Sequence, residues 1–341
     1  MNQIINEDIK EILSENLPYE KLKNKTVLIS GANGFIPSYI VKTLLVLNNV
    51  NVIAVVRNKE RAEKKFAHLL NNPNLKILVH DVSEPFDCNE KIDIIIHAAS
   101  QASPKYYGVD PVGTLKANTI GTYNLLELAR KNDVEKFLFF STGEVYGTID
   151  ENTPKITEDY NGNLDCTSVR SCYGESKRMG ENMCVCYSHQ YNFHVNMVRL
   201  SHTYGPGVQL NDGRVFGDFV ADIISNHDII LNSDGSAKRS FCYITDMVIG
   251  MFYVLFYGED KNAYNIASSV ETSISELAKI LVSLYPEKHL QVIKNKDISQ
   301  KGYIKSASSR ADYSTTKLQS LGWIQKVDIA VGFKRMIESY L

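Results

Sequence analysis

Tyr173 and Lys177 stand four residues apart in the run Tyr173-Gly174-Glu175-Ser176-Lys177. On a helix that spacing projects both side chains from one face. A free phenol, with a pKa of about 10, is a poor base at neutral pH. A lysine charge about 4 Å away is worth roughly 4 kcal/mol at an effective dielectric of about 20. Before desolvation is counted, that would make the phenol up to about a thousandfold more acidic. The tyrosine could then take the proton from a substrate hydroxyl while hydride leaves for a nicotinamide ring. Tyrosine and lysine at this spacing are common by chance, so the neighbours decide what the pair means. Upstream lies Phe139-Phe140-Ser141-Thr142-Gly143-Glu144-Val145-Tyr146-Gly147. Thr142, closing an apolar run, can orient the reacting hydroxyl beside the tyrosine, and Glu144 adds a carboxylate two residues on.

The segment Ser30-Gly31-Ala32-Asn33-Gly34-Phe35-Ile36-Pro37 follows a β-rich run and opens a helical one. Glycines in that place let the backbone turn sharply and approach a pyrophosphate, which then rests on the helix N-terminus. An ordinary strand–helix turn also uses glycine, so it is the position directly between strand and helix that gives the motif weight. Pro37 stands where the usual pattern has a third glycine, and proline is tolerated in a first helical turn. The second strand ends in Val56-Arg57-Asn58. Arg57 could neutralise a 2′-phosphate, which favours NADP; Asn58 could bond the free ribose hydroxyl of NAD; a solvated arginine at a strand end is the plain alternative. Asp81 suits the adenine amino group. Ala98, Ala99 and Ser100, following His97, are small enough for the cofactor to approach the backbone.

A scaffold for these residues is visible in the apolar periodicity. Short continuous apolar runs predict strands at Thr26–Ser30, Val52–Val56, Leu75–Val79, Ile92–Ile96, Lys136–Phe140 and Val195–Leu200. Helical patterns lie between them, over Phe35–Leu47, Lys59–Leu70, Thr114–Arg130 and Ser171–Gln190. That alternation indicates an α/β fold, a Rossmann-type doubly wound parallel sheet covered on both faces. Before it, Ile5, Ile9 and Ile12 mark one side of a short amphipathic helix. Beyond Gly205-Pro206-Gly207 the rhythm becomes irregular. The expected organisation is a helical extension over residues 1–25, a dinucleotide-binding domain over 26–204 that also carries the catalytic groups, and a smaller substrate lobe over 205–341 with some segments returning to the core.

The 341 residues are ample for a core domain and a second lobe. A formal net charge of −2 argues against a general nucleic-acid binder. The richest apolar stretch, Ile92 to Ala99, is interrupted by Asp93 and His97, so no membrane association is expected. The N-terminus lacks the basic start and apolar core of a signal peptide. Six cysteines with no C-x-x-C read as reduced thiols, which with the missing leader suggests a cytoplasmic protein and no metal site.

Taken together, the glycine turn, four strands, Thr142, Tyr173 and Lys177 resemble the extended short-chain dehydrogenase/reductase family of NAD-dependent nucleotide-sugar epimerases, dehydratases and decarboxylases. The resemblance runs from about Lys25 to the C-terminus. Within that family the chain most resembles the UDP-glucuronate decarboxylases, through His80-Asp81-Val82, Ala102-Ser103-Pro104, Asn118-Thr119-Ile120-Gly121-Thr122, Ser141 to Gly147, Glu158-Asp159-Tyr160, Arg170-Ser171-Cys172-Tyr173 with Lys177-Arg178, and Asn211-Asp212-Gly213-Arg214-Val215.

The resemblance implies a redox-neutral enzyme with recycled NAD that oxidises the sugar at C4 in the making of surface-polysaccharide precursors. It adds Phe35, Ile36, Val82 and Asn118 to the cofactor contacts. Its substrate contacts are Ser103, Gly143, Glu144, His202, Asn211, Gly213, Arg214, Val215, Arg239 and Arg310. A pure 4-epimerase has no use for a carboxylate at Glu144, which suits chemistry at C5, either proton abstraction or loss of the attached carboxylate. Arg239 could grip that carboxylate bidentately, contact the diphosphate, or form a surface ion pair. Gly143 departs from the serine of the decarboxylases and the aspartate of the dehydratases. Ser201-His202-Thr203 replaces a stretch in which an asparagine usually meets the diphosphate, and His202 could take that task or be a buried structural histidine. Dehydration, 4-epimerisation and C4 oxidation remain alternatives, as does a non-catalytic dinucleotide sensor. The resemblance also implies a homodimer joined through Thr114–Arg130 and Ser171–Gln190.

Overall fold

A computed structural model describes residues 2–210, 212–295 and 311–341. The chain begins with helix α1 (Gln3–Ser14) and then alternates strand and helix: β1 (Thr26–Ser30), α2 (Phe35–Val46), β2 (Asn51–Val56), α3 (Lys59–Lys65), β3 (Leu75–Val79) and β4 (Ile94–His97). Helices α4 (Pro104–Tyr107), α5 (Pro111–Asn118) and α6 (Ile120–Lys131) lead to β5 (Lys136–Thr142), α7 (Cys172–Tyr191) and β6 (His194–Leu200). The rest of the chain follows as β7 (His202–Tyr204), α8 (Val215–Ile224), β8 (Ile229–Leu231), β9 (Lys238–Tyr243), α9 (Ile244–Tyr257), β10 (Asn262–Ile266), β11 (Glu271–Ser273), α10 (Ile274–Ser283), β12 (Val292–Lys294), α11 (Thr316–Gln319) and α12 (Ile329–Glu338).

Seven of the strands form one all-parallel sheet in the order β3-β2-β1-β4-β5-β6-β10. Six of them reproduce the doubly wound order, whose direction of winding reverses between β1 and β4. The crevice at the carboxyl ends of those two strands is therefore where a dinucleotide belongs. Gly31, directly after β1, and Ala98, directly after β4, both lie there. The strands other than the edge strand β3 are largely buried on both faces, which is why they read as apolar runs.

One sheet face is covered by α6 and α7 through Leu125, Leu128, Phe139 and Cys184. The other is covered by α2 and α9, on which α1 packs in turn, in a core that continues beyond the sheet. Helix α1 is tied in by a charge as well as by Ile9 and Ile12. Asp8, 1 % exposed, accepts from Tyr39 at 3.0 Å, from Tyr243 at 3.0 Å and from Arg335 at 2.9 Å. Burial raises its carboxyl, and Arg335 only partly opposes this. The lobe contains a three-stranded sheet in the order β11-β9-β7 and a two-stranded pair, β8 with β12.

Two expected helices differ in detail. The pattern over Thr114–Arg130 is not one helix: it breaks at Thr119, where φ is −109° and ψ is −66°. Thr119 donates its hydroxyl back to the Leu115 carbonyl at 2.7 Å, a bond that bends helices. The break turns Asn118 inward, where its amide donates to Ser176 Oγ at 2.9 Å. The charged helix expected to run to Leu70 stops at Lys65 and tightens into a 3-10 turn over Ala67–Leu69. The fourth strand begins at Ile94 rather than Ile92; just before it, the Asp93 carboxylate accepts from the Thr26 amide at 2.8 Å at the amino end of β1.

Candidate active site

The turn after β1 is shaped by Gly31, whose φ is +65°. A Cβ there would stand 2.8 Å from the Ala99 Cα and 3.0 Å from the Ala99 nitrogen, so only glycine fits. Gly34 is the N-cap of α2 and offers no capping side chain, leaving the first amides of the helix without one. Asn33, Phe35 and Ile36 line this helix start, half-buried. Such an N-terminus favours an anion.

The Gly31 turn and the loop after β4 are bound together by buried polar groups that sequence reasoning passed over. Ser30 Oγ accepts from the amides of Ala98 and Ala99, each at 3.1 Å. It lies 2.8 Å from His97 Nδ1, and His97 Nε2 lies 3.0 Å from Thr122 Oγ1. Thr122 donates its own proton to the Asn118 carbonyl at 2.6 Å, so it can only accept from His97. His97 therefore carries its proton on Nε2 and accepts from Ser30. Burial first, and the Lys177 charge second, hold its pKa well below the usual range, and the ring is neutral.

Among the described residues, three buried polar atoms in this crevice have no partner: Ser100 Oγ, Gln101 Oε1 and Asn118 Oδ1. Unpaired buried polar atoms are costly, and their clustering beside a glycine turn and an uncapped helix start fits a polar dinucleotide. Arg57 is exposed and its charge acts on Asp81 and Asp110. Asp81 accepts from the Ser83 amide and hydroxyl, bonds that together with Arg57 outweigh the effect of burial and hold its carboxyl low. Asn58 spends its side-chain oxygen on the Arg61 amide as the cap of α3. Val82 is buried against Gly121.

Strand β5 ends at Thr142, and the first turn of α7 carries Tyr173, so the two side chains meet beside the crevice. Both are nearly buried. The expected acidification of Tyr173 by Lys177 is not what the geometry produces. Burial, and then the Glu144 charge, push the phenol above its ordinary value; a bond from Thr142 and the Arg170 charge oppose this and do not prevail. Lys177 points elsewhere, donating to the Phe140 carbonyl at 2.6 Å with its ammonium 4.7 Å from the Phe139 ring centre. Burial brings its pKa down to about 7 despite the nearby Glu181. The i,i+4 spacing placed the two groups on one face, and desolvation of both reversed the sign.

Glu144 is held by a residue that the sequence suggested only through resemblance. Arg170 grips it with two parallel bonds, at 2.7 and 2.8 Å, and both side chains are less than a third exposed. The same guanidinium lies 4.9 Å from the Tyr107 ring centre, and Tyr107 stacks on Tyr173 at 5.0 Å and 16°. Tyr107 is itself fixed by donating to the Ala102 carbonyl at 3.0 Å. Carboxylate, guanidinium and two aromatic rings thus form one column ending at the candidate base. Glu158 and Tyr160 have structural work instead: Glu158 accepts from the Asn265 amide, and Tyr160 ties the Thr148–Asp150 turn.

On the lobe side, Ser103 donates to the Asp212 carbonyl at 2.6 Å, joining the loop before α4 to the loop before α8. Gly213 has φ +87° in open space, and Arg214 pairs with Asp212 beside Val215 at the start of α8. His202 on β7 pairs in register with Phe241, two residues from Arg239 on β9. Burial and the charges of Arg239 and Arg214 bring His202 down to about 3, so it is neutral among cations. Gly143 opens the 3-10 turn after β5. Asn211 and Arg310 lie outside the described residues. The structure therefore gathers Thr142, Gly143, Glu144 and Tyr173 at one end, and His202, Arg214 and Arg239 at the other.

A doubly wound sheet with a glycine turn at its switch point and a threonine–tyrosine–lysine set beside it defines a dinucleotide-dependent enzyme of the extended short-chain dehydrogenase type. Residues 27–267 match the NAD dependent epimerase/dehydratase family, and the chain belongs to that family. It is 35% identical to UDP-glucuronic acid decarboxylase 3 of Arabidopsis thaliana over 93% of this chain and 89% of that one. It is 32% identical to UDP-glucuronic acid decarboxylase 1 of Danio rerio, over 98% and 79%. Among solved structures it resembles UDP-glucose 4-epimerase of Thermotoga maritima, with a TM-score of 0.78, 23% identity, and 92% and 98% of the two chains covered. The UDP-glucuronic acid 4-epimerase of Bacillus cereus, solved with UDP-glucuronic acid and NAD, gives a TM-score of 0.76 at 20% identity, with 92% and 98% covered. The protein is an NAD-dependent enzyme that modifies nucleotide-sugars.

Proposed function

We propose that this enzyme decarboxylates a nucleotide-linked uronic acid, with UDP-glucuronate as the first substrate to test. The observation that carries the reading is the two-pronged Glu144–Arg170 ion pair. A carboxylate whose two oxygens are engaged by a guanidinium is a poor base for pulling a proton from C5, the step a dehydratase needs. Decarboxylation makes no such demand. Once C4 is a ketone, the C6 acid is a β-keto acid, and carbon dioxide leaves with its bonding electrons passing into an enolate.

Bound NAD would supply the hydride acceptor for C4 and the reductant that later restores it. Tyr173 takes the proton from the C4 hydroxyl and afterwards donates a hydrogen bond to the C4 oxygen. Burial raises its pKa, so the phenolate needed as base would form only with the positive charge of a bound nicotinamide beside it; once it holds the substrate's proton, the phenol is the donor to the enolate oxygen. Thr142 fixes the direction of that oxygen. Arg214 and Arg239 offer charge to a diphosphate or a carboxylate, and neutral His202 between them can donate to phosphate without adding charge. Gly31, Gly34, Ala98, Ala99, Ser100 and Asn118 would hold the dinucleotide. Arg57, already facing Asp81 and Asp110, leaves little field for a 2′-phosphate, which supports NAD over NADP.

Exposed large apolar side chains collect on three neighbouring helices: Val112 and Leu115 on α5, Ile120 and Tyr123 on α6, and Met179 and Tyr191 on α7. Such a face supports a homodimer built through these helices. Light scattering would report twice the chain mass, and a monomer would reject the dimer. Among the described residues no helix is long and apolar enough to cross a membrane. The six cysteines are all free thiols, which supports a reducing, cytoplasmic setting.

Incubation with UDP-glucuronate, NAD and a panel of neutral UDP-, GDP-, CDP- and dTDP-hexoses tests the reaction by product mass. Loss of the mass of carbon dioxide supports the proposal. Loss of water, or an isomer of unchanged mass, would instead establish a dehydratase or an epimerase. Tight NAD binding with no sugar consumed would leave a sensor.

A further inference from the structure

Gly143 and Tyr313 are far apart in sequence and compete for one volume. A Cβ built on Gly143 would stand 2.1 Å from the Tyr313 hydroxyl, 2.6 Å from its Cζ and 3.0 Å from its Cε1. No side chain can occupy position 143 while the phenol is there. The phenol is also anchored through its backbone. The Ile156 amide donates to the Asp312 carbonyl at 2.8 Å, the Ser314 amide donates to the Ile156 carbonyl at 2.8 Å, and Glu271 accepts from the Ala311 amide at 2.8 Å. The ring leans on Tyr146, with centroids 5.8 Å apart.

Tyr313 is half-buried, and its hydroxyl makes no hydrogen bond among the described residues. The charges that act on it beyond its aromatic neighbour include Glu144 and Arg239. Glu144 belongs to the tyrosine end of the site and Arg239 to the other, so the phenol is within reach of charge from both. Burial keeps the phenol protonated, so it remains a donor at any pH the enzyme meets. An anchored, protonated hydroxyl next to Thr142 and Glu144 is placed for a substrate oxygen.

We propose that Tyr313 is a substrate-positioning residue that reaches across the chain to fill the place of a side chain at 143. It presents its hydroxyl to an oxygen on the C4–C6 side of the sugar, and glycine stands at 143 to admit it. The inference rests on the reading that this pocket holds a nucleotide-sugar, but not on which reaction follows. It also accounts for the departure at Gly143: the hydroxyl lost there is supplied by another part of the chain.

The test is a set of variants assayed on whichever nucleotide-sugar the wild-type enzyme turns over, so a failure of the decarboxylase reading does not disturb it. Tyr313→Phe removes only the hydroxyl; it should lower kcat/KM about tenfold, the worth of one neutral hydrogen bond. NAD affinity and melting temperature should stay at wild-type values, which a purely structural tyrosine would not allow. Gly143→Ser should lower kcat/KM at least as far, because its Cβ evicts the phenol. Gly143→Ser with Tyr313→Ala should recover part of that loss, since the pair exchanges one hydroxyl for the other. Unchanged kcat and KM in Tyr313→Phe would overturn the proposal. So would losses in Gly143→Ser and Tyr313→Ala that simply multiply in the double variant.

Discussion

Arg170 holds Glu144 in a two-pronged bond and at the same time lies over Tyr107, which stacks on Tyr173. One guanidinium therefore touches both the acid and the ring that stacks on the candidate base. After burial, the Glu144 charge raises the Tyr173 phenol, and the Arg170 charge in the same column opposes the shift.

Removing Arg170 should hurt twice. Arg170→Met leaves a largely buried carboxylate without its partner, a loss that reaches about 3–5 kcal/mol at fully buried sites and should be smaller here. We expect a lower melting temperature and a fall in kcat of about a hundredfold or more, the usual worth of a positioned proton-transfer group. Glu144→Gln in the same chain should restore much of the stability, because no charge is then stranded, without restoring turnover. Thermal unfolding and steady-state kinetics on the four variants separate the two effects. Activity returning together with stability would show the pair to be structural only.

Tyr173→Phe should abolish turnover by about a thousandfold or more while leaving NAD affinity near the wild-type value. The reason is that the ring, which stacks on Tyr107, survives and only the proton-transferring oxygen is lost. Product formation is followed by mass and NAD binding by calorimetry. Turnover within a few-fold of wild type would remove the tyrosine from the chemistry altogether.

Lys177 should titrate far below an ordinary lysine. Burial penalises its charged form, bringing the pKa from 10.5 to about 7. Between those values the unfolded chain holds a proton that the folded protein has released, so this group makes stability rise with pH across that window. Lysine labelled with carbon-13 at the ε position should show one signal moving near pH 7 and another near 8, the second from Lys42, which burial also lowers. Lys177→Met should delete the first and keep the second. A spectrum in which every lysine titrates above 9 would contradict both assignments.

The strand and helix order was legible because a parallel sheet buried on both faces leaves apolar runs, and Thr26–Ser30 falls where such a run predicts; the half-exposed edge strand Leu75–Val79 kept enough of the pattern despite Lys76. The glycine turn was legible for the same reason, since only its place between strand and helix gives Gly31 meaning. What the sequence hid is what depends on burial or on long loops. The sign of the Tyr173 shift depends on desolvation, which the i,i+4 spacing does not encode. The break at Thr119 depends on one hydroxyl bonding backward. Tyr107 and Tyr313 come from segments with no motif of their own, and Gly143 read as a gap in a pattern until the phenol that fills it was seen. Ser30 was quoted only as the end of a strand, although a serine amid apolar strand residues, followed by a histidine at the matching strand end, was a usable signal.

That serine gives the sharpest test of the cofactor cradle. Ser30 Oγ accepts from two backbone amides, of Ala98 and Ala99, and donates to His97, whose other nitrogen donates to Thr122. Register places Ser30 opposite His97 across β1 and β4, so the hydroxyl bridges the two strand ends between which the dinucleotide belongs. Ser30→Ala leaves two amides and one imidazole nitrogen without their partner in a buried place, and each such group costs about 1–3 kcal/mol unless the loop moves. The loop after β4 is the part free to move, and its displacement should carry Ala99 away from Gly31, where the backbones now meet too closely for any Cβ. We expect NAD affinity to fall by about thirtyfold, roughly 2 kcal/mol, with the sugar KM at saturating NAD little changed. His97→Leu, which breaks the same chain one link further on, should weaken NAD less, because Ser30 can still accept from both amides. If Ser30→Ala binds NAD as tightly as the wild type, the polar chain does not hold the cradle, and the glycine turn must keep its shape by packing alone.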